Sequence, residues 1–172
     1  PADLARHRER PVALRPHPSG HPFAGLKVLD LTWIIAGPST VRNFSDHGAL
    51  VVKVESELRP DGLRLLGPQR GGDLWNSSHF YGEFNAGKHC IQLNLKNPQA
   101  IEIMKRLIAW ADLFVENWAP GALARIGLDY ETVRSINPGI IMLSTSLMGQ
   151  TGPARGVAGF GYHAGGMAGF YE

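Results

Sequence analysis

Cysteine is almost absent from this chain: Cys90 is the single one among 172 residues. One thiol cannot form an internal disulfide, which excludes the disulfide-stabilised secreted class and favours a reducing compartment. Long apolar runs are missing too, since no stretch approaches the roughly 20 residues needed to cross a bilayer, and no signal-peptide pattern opens the sequence. We therefore predict a cytoplasmic protein that does not enter a membrane.

An excess of charge of one sign is also lacking. The formal net charge is +2, too small to indicate a nucleic-acid partner, and a few cations at one anionic ligand would account for it. The histidines show no zinc-ligand spacing, so no metal site is predicted. With 44% hydrophobic residues in 172, the chain has enough apolar material for one domain with a sizeable core.

Two short apolar runs define the start of the fold. Residues 28–31 read as a buried strand, and the chain then turns at Ala36-Gly-Pro38. With Pro38 at the first helical position, a helix is predicted through His47, and Gly48 suits its left-handed end. Residues 49–55 form the second strand, which completes a βαβ unit. Small residues where a helix follows a strand let backbone N–H groups approach an anion, so this turn predicts a phosphate site.

The rest of the sequence continues the alternation. Polar and apolar residues alternate over 90–95, which predicts a half-buried strand, and Asn97-Pro98 caps a helix that reaches Trp110. Further elements follow: a strand at 113–115, a short helix ending at Gly127, a helix capped by Asp129 that reaches Ile136, and a strand at 140–143. This order predicts an α/β fold with an open, mostly parallel sheet. In such sheets ligands bind outside the carboxyl ends of the strands.

Several segments show no regular period. Residues 1–22 are rich in arginine and proline and predict a linker or flexible arm, which leaves residues 23–172 as the domain. Residues 57–73 predict a long exposed loop, and residues 73–84 carry aromatic side chains without a clear pattern. The tail from Gly149 is dense in glycine, which disfavours helix and indicates close backbone approach to a ligand or another chain.

Three cations near strand or helix ends, Lys88, Lys96 and Arg125, could converge on a polyanionic ligand, or could be solvated surface charges. Ser144, Thr145 and Ser146 follow the last strand without a G-x-S-x-G nucleophile motif, so capping or binding through hydroxyls is the better interpretation. Glu55 lies about twenty residues beyond the first turn, where a dinucleotide site would place a ribose-binding acid. The G-x-G-x-x-G fingerprint is absent, which makes a dinucleotide site the weaker alternative.

Ordered motifs along the chain resemble the family III CoA transferases, a family that includes carnitine-CoA and formyl-CoA transferases and the α-methylacyl-CoA racemases. The resemblance runs from about Pro22 to Glu172 and covers only the first part of such an enzyme. The motifs are PFAGLKVLDLT from Pro22, AGP from Ala36, GALVVKVE from Gly48, ENWAPGALARIG from Glu116, INP from Ile136 and GQTGP from Gly149.

This resemblance implies a Rossmann-like large domain, truncated at its C-terminus, and a homodimer of linked rings in complete members. It also implies which residues contact CoA. Lys96 and Arg125 would meet phosphate, Leu93 and Trp118 would offer apolar faces to adenine or pantetheine, and Asn117 would orient a carbonyl. The residues that match the family's CoA contacts are Ile34, Ile35, Leu93, Lys96, Asn117, Trp118, Ala122 and Arg125.

The chain departs from the family pattern at three places. Gly87-Lys-His-Cys90 replaces the usual Asn-Lys-Arg-Ser, so an arginine is lost. Ile35 replaces the glutamine of formyl-CoA transferases, which argues against formyl-CoA as substrate. Phe160 and Gly161 replace the His-Asp pair of the racemases, and neither can move a proton, which argues against racemisation. His163 lies two positions away and is given no role.

The transferases use an aspartate that attacks the acyl-CoA thioester, forms a mixed anhydride and then an enzyme-bound thioester. In the family this residue lies beyond the position of Glu172, and no aspartate of this chain matches it, so no catalytic residue is assigned. We expect the CoA-binding portion of a transferase that moves CoA between carboxylic acids, with no cofactor beyond CoA or acyl-CoA as substrate. A non-catalytic nucleotide-binding or assembly module is the alternative, and residues 1–22 could join two such units in tandem.

Overall fold

A computed structural model describes residues 20–71 and 75–171. The predicted arm at residues 1–22 lies outside the described residues except for Gly20, His21 and Pro22, which are exposed. Backbone hydrogen bonds begin directly afterwards, where the Phe23 N–H donates to the His47 carbonyl at 3.0 Å. The described chain is therefore anchored to the first helix from its start.

Within the described residues, one sheet of five parallel strands forms the centre, in the spatial order β3-β2-β1-β4-β5. The predicted α/β fold is confirmed, and the parallel arrangement holds for every described pair of strands. The first strand lies in the middle, hydrogen-bonded to β2 on one side and β4 on the other. The strands are β1 Lys27–Leu31, β2 Leu50–Glu55, β3 His89–Gln92, β4 Leu113–Glu116 and β5 Ile141–Ser144.

Helices cover both faces of the sheet, because successive strand side chains point to opposite faces. Val28 packs with Val41 of the first helix on one face. Leu29 packs with Met104 and Val133 on the other. The helices are α1 Ala36–Asp46, α2 His79–Asn85, α3 Pro98–Trp110, α4 Tyr130–Ile136 and α5 Gly161–Met167, with 3-10 turns at Gly62–Leu65 and Ala124–Ile126.

The predicted caps of α3 and α4 are confirmed. Asn97 Oδ1 accepts the Gln99 N–H at 2.9 Å, and Pro98 is the first residue of α3. Asp129 Oδ1 accepts the Thr132 N–H at 3.0 Å. Hydrogen bonds from the backbone and side chain of Thr132 lower the pKa of Asp129, because they stabilise its carboxylate form.

Two predicted boundaries are wrong. Helix α1 begins at Ala36, so Pro38 is its third residue rather than its first. Proline fits there because the first-turn N–H groups have no intrahelical partner. Strand β3 ends at Gln92, although Leu93 and Leu95 continue the alternation and still pack on the core. The left-handed end at Gly48 is confirmed, with φ of 99°.

The predicted exposed loop at 57–73 is also corrected. It contains the 3-10 turn Gly62–Leu65, and Leu63 and Asp61 are almost completely buried. Ser78 Oγ fastens this turn from the next segment, donating to the carbonyl oxygens of Leu63 at 2.5 Å and Leu66 at 2.7 Å. The loop therefore contributes to the core through a turn that local periodicity does not reveal.

The glycine-rich tail contains a helix, α5, where glycine density predicts none. A Cβ placed on Gly165 would lie 2.5 Å from the Tyr171 ring, so close approach occurs, but to a side chain of this chain. In the described part of the chain, no helix combines the length and apolar character needed to span a membrane.

Candidate functional site

A cleft at the carboxyl ends of the strands has a volume of about 1580 Å³. Its walls come from the segments that follow all five strands and from the tail. The eight residues that the resemblance predicts as CoA contacts all line this one cleft: Ile34, Ile35, Leu93, Lys96, Asn117, Trp118, Ala122 and Arg125.

Hydrogen bonds join the corner after β1 to the corner after β4. Asn117 Oδ1 accepts the Trp33 N–H at 2.9 Å, and Asn117 Nδ2 donates to the Trp33 carbonyl at 2.8 Å. Trp118 Nε1 donates to the Leu31 carbonyl at 3.0 Å. The Trp33 and Trp118 rings meet edge to face, with centroids 6.1 Å apart. The two corners therefore lie side by side, fixed by reciprocal bonds.

The absence of a side chain at Gly37 allows the two corners to lie this close together. A Cβ built on Gly37 would lie 2.5 Å from Thr32 Cβ and 3.1 Å from Asn117 Nδ2. Thr32 cannot move away easily, because its N–H and Oγ1 both donate to Asp30 Oδ1, at 2.9 and 2.5 Å. Glycine at position 37 is thus required by space between the corners rather than by backbone conformation.

Ile34, at the centre of the first corner, has φ of 63°, the one left-handed non-glycine among the described residues. Its N–H donates to Asp61 Oδ1 at 3.1 Å. Asp61 Oδ2 lies 3.4 Å from Lys53 Nζ, and Lys53 Nζ donates to the Thr32 carbonyl at 2.5 Å. A buried ion pair therefore contacts the backbone at Thr32 and at Ile34.

Glu55, the predicted ribose acid of the dinucleotide alternative, is already bound by protein groups. Arg64 donates to both of its carboxylate oxygens, at 3.0 and 2.8 Å, and the Tyr81 hydroxyl donates to it as well. Burial works against ionisation, but these bonds and the charges of Arg64 and Lys53 lower the pKa of Glu55 overall. Burial and the same carboxylate raise the pKa of Tyr81. The engaged carboxylate argues against ribose binding.

The cations do not group as the sequence predicts. Lys96 and Arg125 line the cleft, but Lys88 does not. Its Nζ is fully buried, 2.9 Å from Asp30 Oδ2 and 2.9 Å from the Pro38 carbonyl. Burial lowers the pKa of Lys88 more than the Asp30 carboxylate raises it. The prediction that Lys88 meets a polyanion is therefore wrong, because Asp30 compensates its charge inside the domain.

Arg59 is a cleft residue that sequence reasoning missed. Its guanidinium lies over the Trp33 ring, 4.6 Å from the centroid, and the residue is exposed at the cleft surface. A stacked guanidinium keeps its donors free at the rim for an anion. The nearest signal in the sequence was its position shortly after β2, inside a segment predicted only as a loop.

The remaining wall comes from the segment after β5 and from the tail. Thr145 and Ser146 line the cleft, and Ser146 Oγ is buried with no hydrogen-bond partner in the described structure. His163 also lines it, and its Nδ1 accepts the Phe160 N–H at 3.0 Å. No group of three or more potential metal-ligating side chains occurs among the described residues.

The open parallel sheet defines an α/β domain, and the cations and apolar side chains of the cleft at its strand ends suit an anionic, partly apolar ligand. Comparison identifies the family. Residues 23–172 match the profile of CoA-transferase family III, and the chain belongs to that family.

Relatives that are named as CoA-transferases support this family assignment. The human succinyl-CoA:glutarate CoA-transferase is 42% identical over 139 residues, which cover 81% of this chain and 31% of the relative. The cinnamoyl-CoA:phenyllactate CoA-transferase of Clostridium sporogenes is 38% identical and is covered to 38%. A crystal structure of a CaiB/BaiF family protein from Brucella suis matches with a TM-score of 0.79 and 38% identity, over 86% of this chain and 39% of that one. The chain spans about a third of the length of these two transferases.

Proposed function

We propose that this chain supplies the CoA-binding cleft of a CoA transferase that moves CoA between carboxylic acids. One observation carries the proposal: eight residues, separated by up to 91 positions in sequence, meet in one cleft. Their chemistry suits the ligand, because CoA combines phosphate groups with an apolar adenine and a long pantetheine arm.

The cleft divides into charged and apolar parts. Lys96 and Arg125 bind the phosphates, and Arg59 adds a third cation at the rim. Leu93 and Trp118 contact the adenine or the pantetheine. Both polar atoms of the Asn117 amide already bond to Trp33, so Asn117 acts first by fixing the corner and only then by orienting a ligand carbonyl.

The transfer itself belongs to a longer protein that includes this chain. No aspartate of this chain matches the position that the family resemblance gives to the nucleophile. The residues of this chain therefore bind and position the coenzyme and do not react with it. Carboxylic acids are named as substrates of the relatives, including glutarate and phenyllactate. We propose an acyl-CoA and a carboxylic acid as the substrate pair here, and a cytoplasmic homodimer as the working assembly.

Calorimetric titration of the chain with CoA tests the binding role. Arg125→Ala should weaken CoA binding by about tenfold, equivalent to about 1.4 kcal/mol, because the lost guanidinium faces phosphate. Arg106→Ala is the matched control, since Arg106 is exposed on α3 and does not line the cleft. Equal affinities for Arg125→Ala, Arg106→Ala and the unchanged chain would contradict the assignment.

The same titration with pantetheine, which lacks the nucleotide phosphates, should show little effect of Arg125→Ala. For the reaction, the longer protein should form a covalent acyl or thioester adduct visible by intact mass after mixing with an acyl-CoA. CoA binding without any adduct would favour the non-catalytic module over the transferase.

A further inference from the structure

Ile34 adopts a conformation that its side chain disfavours. Its φ is 63°, and a β-branched residue in the left-handed region is an outlier because its Cβ crowds the backbone. Such conformations persist only where surrounding contacts enforce them, and they concentrate at binding sites. Ile34 lines the cleft, so the enforcing contacts are of functional interest.

Besides the bonds between Asn117 and Trp33, the corner is held by Lys53 and Asp61. Asp61 Oδ1 accepts the N–H groups of Ile34 at 3.1 Å and Leu63 at 3.0 Å, which joins the corner to the 3-10 turn. Lys53 Nζ donates to the Thr32 carbonyl at 2.5 Å and lies 3.4 Å from Asp61 Oδ2. The pair therefore holds the backbone two residues before Ile34 and at Ile34 itself.

Burying this ion pair costs free energy that apolar packing would not cost. The Lys53 side chain is 0% exposed and that of Asp61 is 2% exposed, and removing two charges from water carries a large desolvation penalty. Apolar residues of similar volume often stabilise a fold equally well. Positioning of the corner backbone explains why a buried ion pair is present here, whereas packing alone does not.

The space around Ile34 fits this role. A Cβ built on Gly62 would lie 3.0 Å from Ile34 Cδ1, so the residue next to Asp61 leaves room for the Ile34 side chain. Lys53, Asp61 and Gly62 thus determine together where that side chain lies at the cleft wall.

We propose that Lys53 and Asp61 are positioning residues that hold Ile34 in the left-handed conformation and so preset the cleft for the coenzyme. The ligand part of this inference rests on the proposed function. Neither side chain needs to touch the coenzyme, because both act through the backbone of the corner.

A stability comparison tests the positioning without any ligand. Glycine accepts positive φ whereas alanine does not, so Ile34→Gly should melt about 2–4 °C above Ile34→Ala. Ile103, an exposed residue in the interior of α3, is the matched control; there alanine should melt above glycine, because glycine disfavours a helix interior. The same order at both positions would overturn the strained-residue claim.

Repeating the comparison without the ion pair tests what enforces the strain. In a Lys53→Met/Asp61→Leu background, residue 34 is free to relax to negative φ. The melting advantage of glycine over alanine at position 34 should then disappear. An unchanged advantage would show that other contacts hold Ile34 and would overturn the role given to Lys53 and Asp61.

CoA affinity provides the functional readout. Replacing the pair should weaken CoA binding about tenfold in the chain with Ile34, and less than about threefold in the Ile34→Gly chain, where glycine needs no enforcement. Equal losses of CoA affinity in the Ile34 and Ile34→Gly chains would show that the pair has only a structural role. Failure of the unchanged chain to bind CoA would instead refute the proposed function, while the two melting comparisons would still decide what holds Ile34.

Discussion

The two walls of the cleft are built differently. The strand-end wall, which consists of the corners after β1 and β4 and the turn at residues 61–65, is fixed by partly buried hydrogen bonds between Asp61 and Ile34 and between Asn117 and Trp33. The tail wall, residues 149–171, contains no buried residue, and its aromatic side chains at Tyr162 and Phe170 are about four-fifths exposed.

This difference shows where the domain specifies its site by itself. The strand-end wall shares residues with the sheet, so its geometry is as stable as the core that supports it. The tail wall makes few contacts with that core, and such regions open at little free-energy cost. Substitutions should therefore affect global stability strongly in the first wall and weakly in the second.

The largest expected effect comes from Lys88→Ala. Asp30 supports Thr32 of the strand-end wall, and losing the ammonium group 2.9 Å away leaves its carboxylate buried and unpaired. The free energy of unfolding should fall by about 3–5 kcal/mol, measured by urea denaturation.

Lys105→Ala is the control for Lys88→Ala. It removes an exposed ion pair with Glu102 at 2.7 Å, which is worth less than about 1 kcal/mol. Similar losses in the two variants would contradict the structural role of the Asp30–Lys88 pair.

Gly37→Ala should have the next largest effect. The added Cβ meets Thr32 Cβ at 2.5 Å, and the resulting overpacking should cost about 1–3 kcal/mol of unfolding free energy. CoA affinity should fall too, since the corners are forced apart. Gly82→Ala is the control: nothing lies within 4 Å of its Cβ, and helix propensity should make it neutral or stabilising by up to about 1 kcal/mol. A Gly37→Ala chain as stable as the Gly82→Ala chain would show that the corners can separate freely.

Glu55→Gln should change how stability depends on pH. The folded pKa of Glu55 lies below its ordinary value of 4.5, so its ionised form stabilises the fold above pH 4.5, and that contribution is lost as pH falls through the folded pKa. The stability gap between the unchanged chain and Glu55→Gln should therefore narrow below pH 4.5 in urea titrations. A gap of constant size would mean that the Arg64 and Tyr81 bonds do not depend on the carboxylate charge.

Tyr162→Ser in the tail should have the smallest effect. The Tyr162 side chain is 79% exposed, and surface substitutions of this kind usually change stability by less than about 0.5 kcal/mol. Thermal melting should therefore give the same midpoint for both chains. A loss as large as that of Gly37→Ala would show that the tail is integral to the core.

The sheet and its helices were more predictable than the walls of the cleft. The strands, the caps at Asn97 and Asp129 and the glycine at position 48 follow from local patterns, because each depends on neighbours within one turn or one strand. The eight cleft residues came from the family resemblance, and the strand order then explains why they meet: β1 lies next to both β2 and β4.

What the sequence could not predict depends on distant partners. The sequence around Lys88 is typical of a surface cation. In the structure Lys88 forms a buried ion pair with Asp30, which lies 58 positions earlier in the sequence. The 3-10 turn at Gly62–Leu65 is fixed by Ser78, and helix α5 forms despite its glycines. The place of Arg59 at the cleft is recognised only from its contact with the Trp33 ring in the structure.

The bonds between Asn117 and Trp33 and between Trp118 and Leu31 span 84 and 87 positions. Contacts of such separation form late, because a long chain segment must be ordered before they close. During synthesis, strands β1 to β3 and their helices emerge before the segment that completes the first corner. Refolding should therefore show formation of the β1–β2 unit first, and coenzyme affinity only in its slowest phase, together with the β1–β4 contacts.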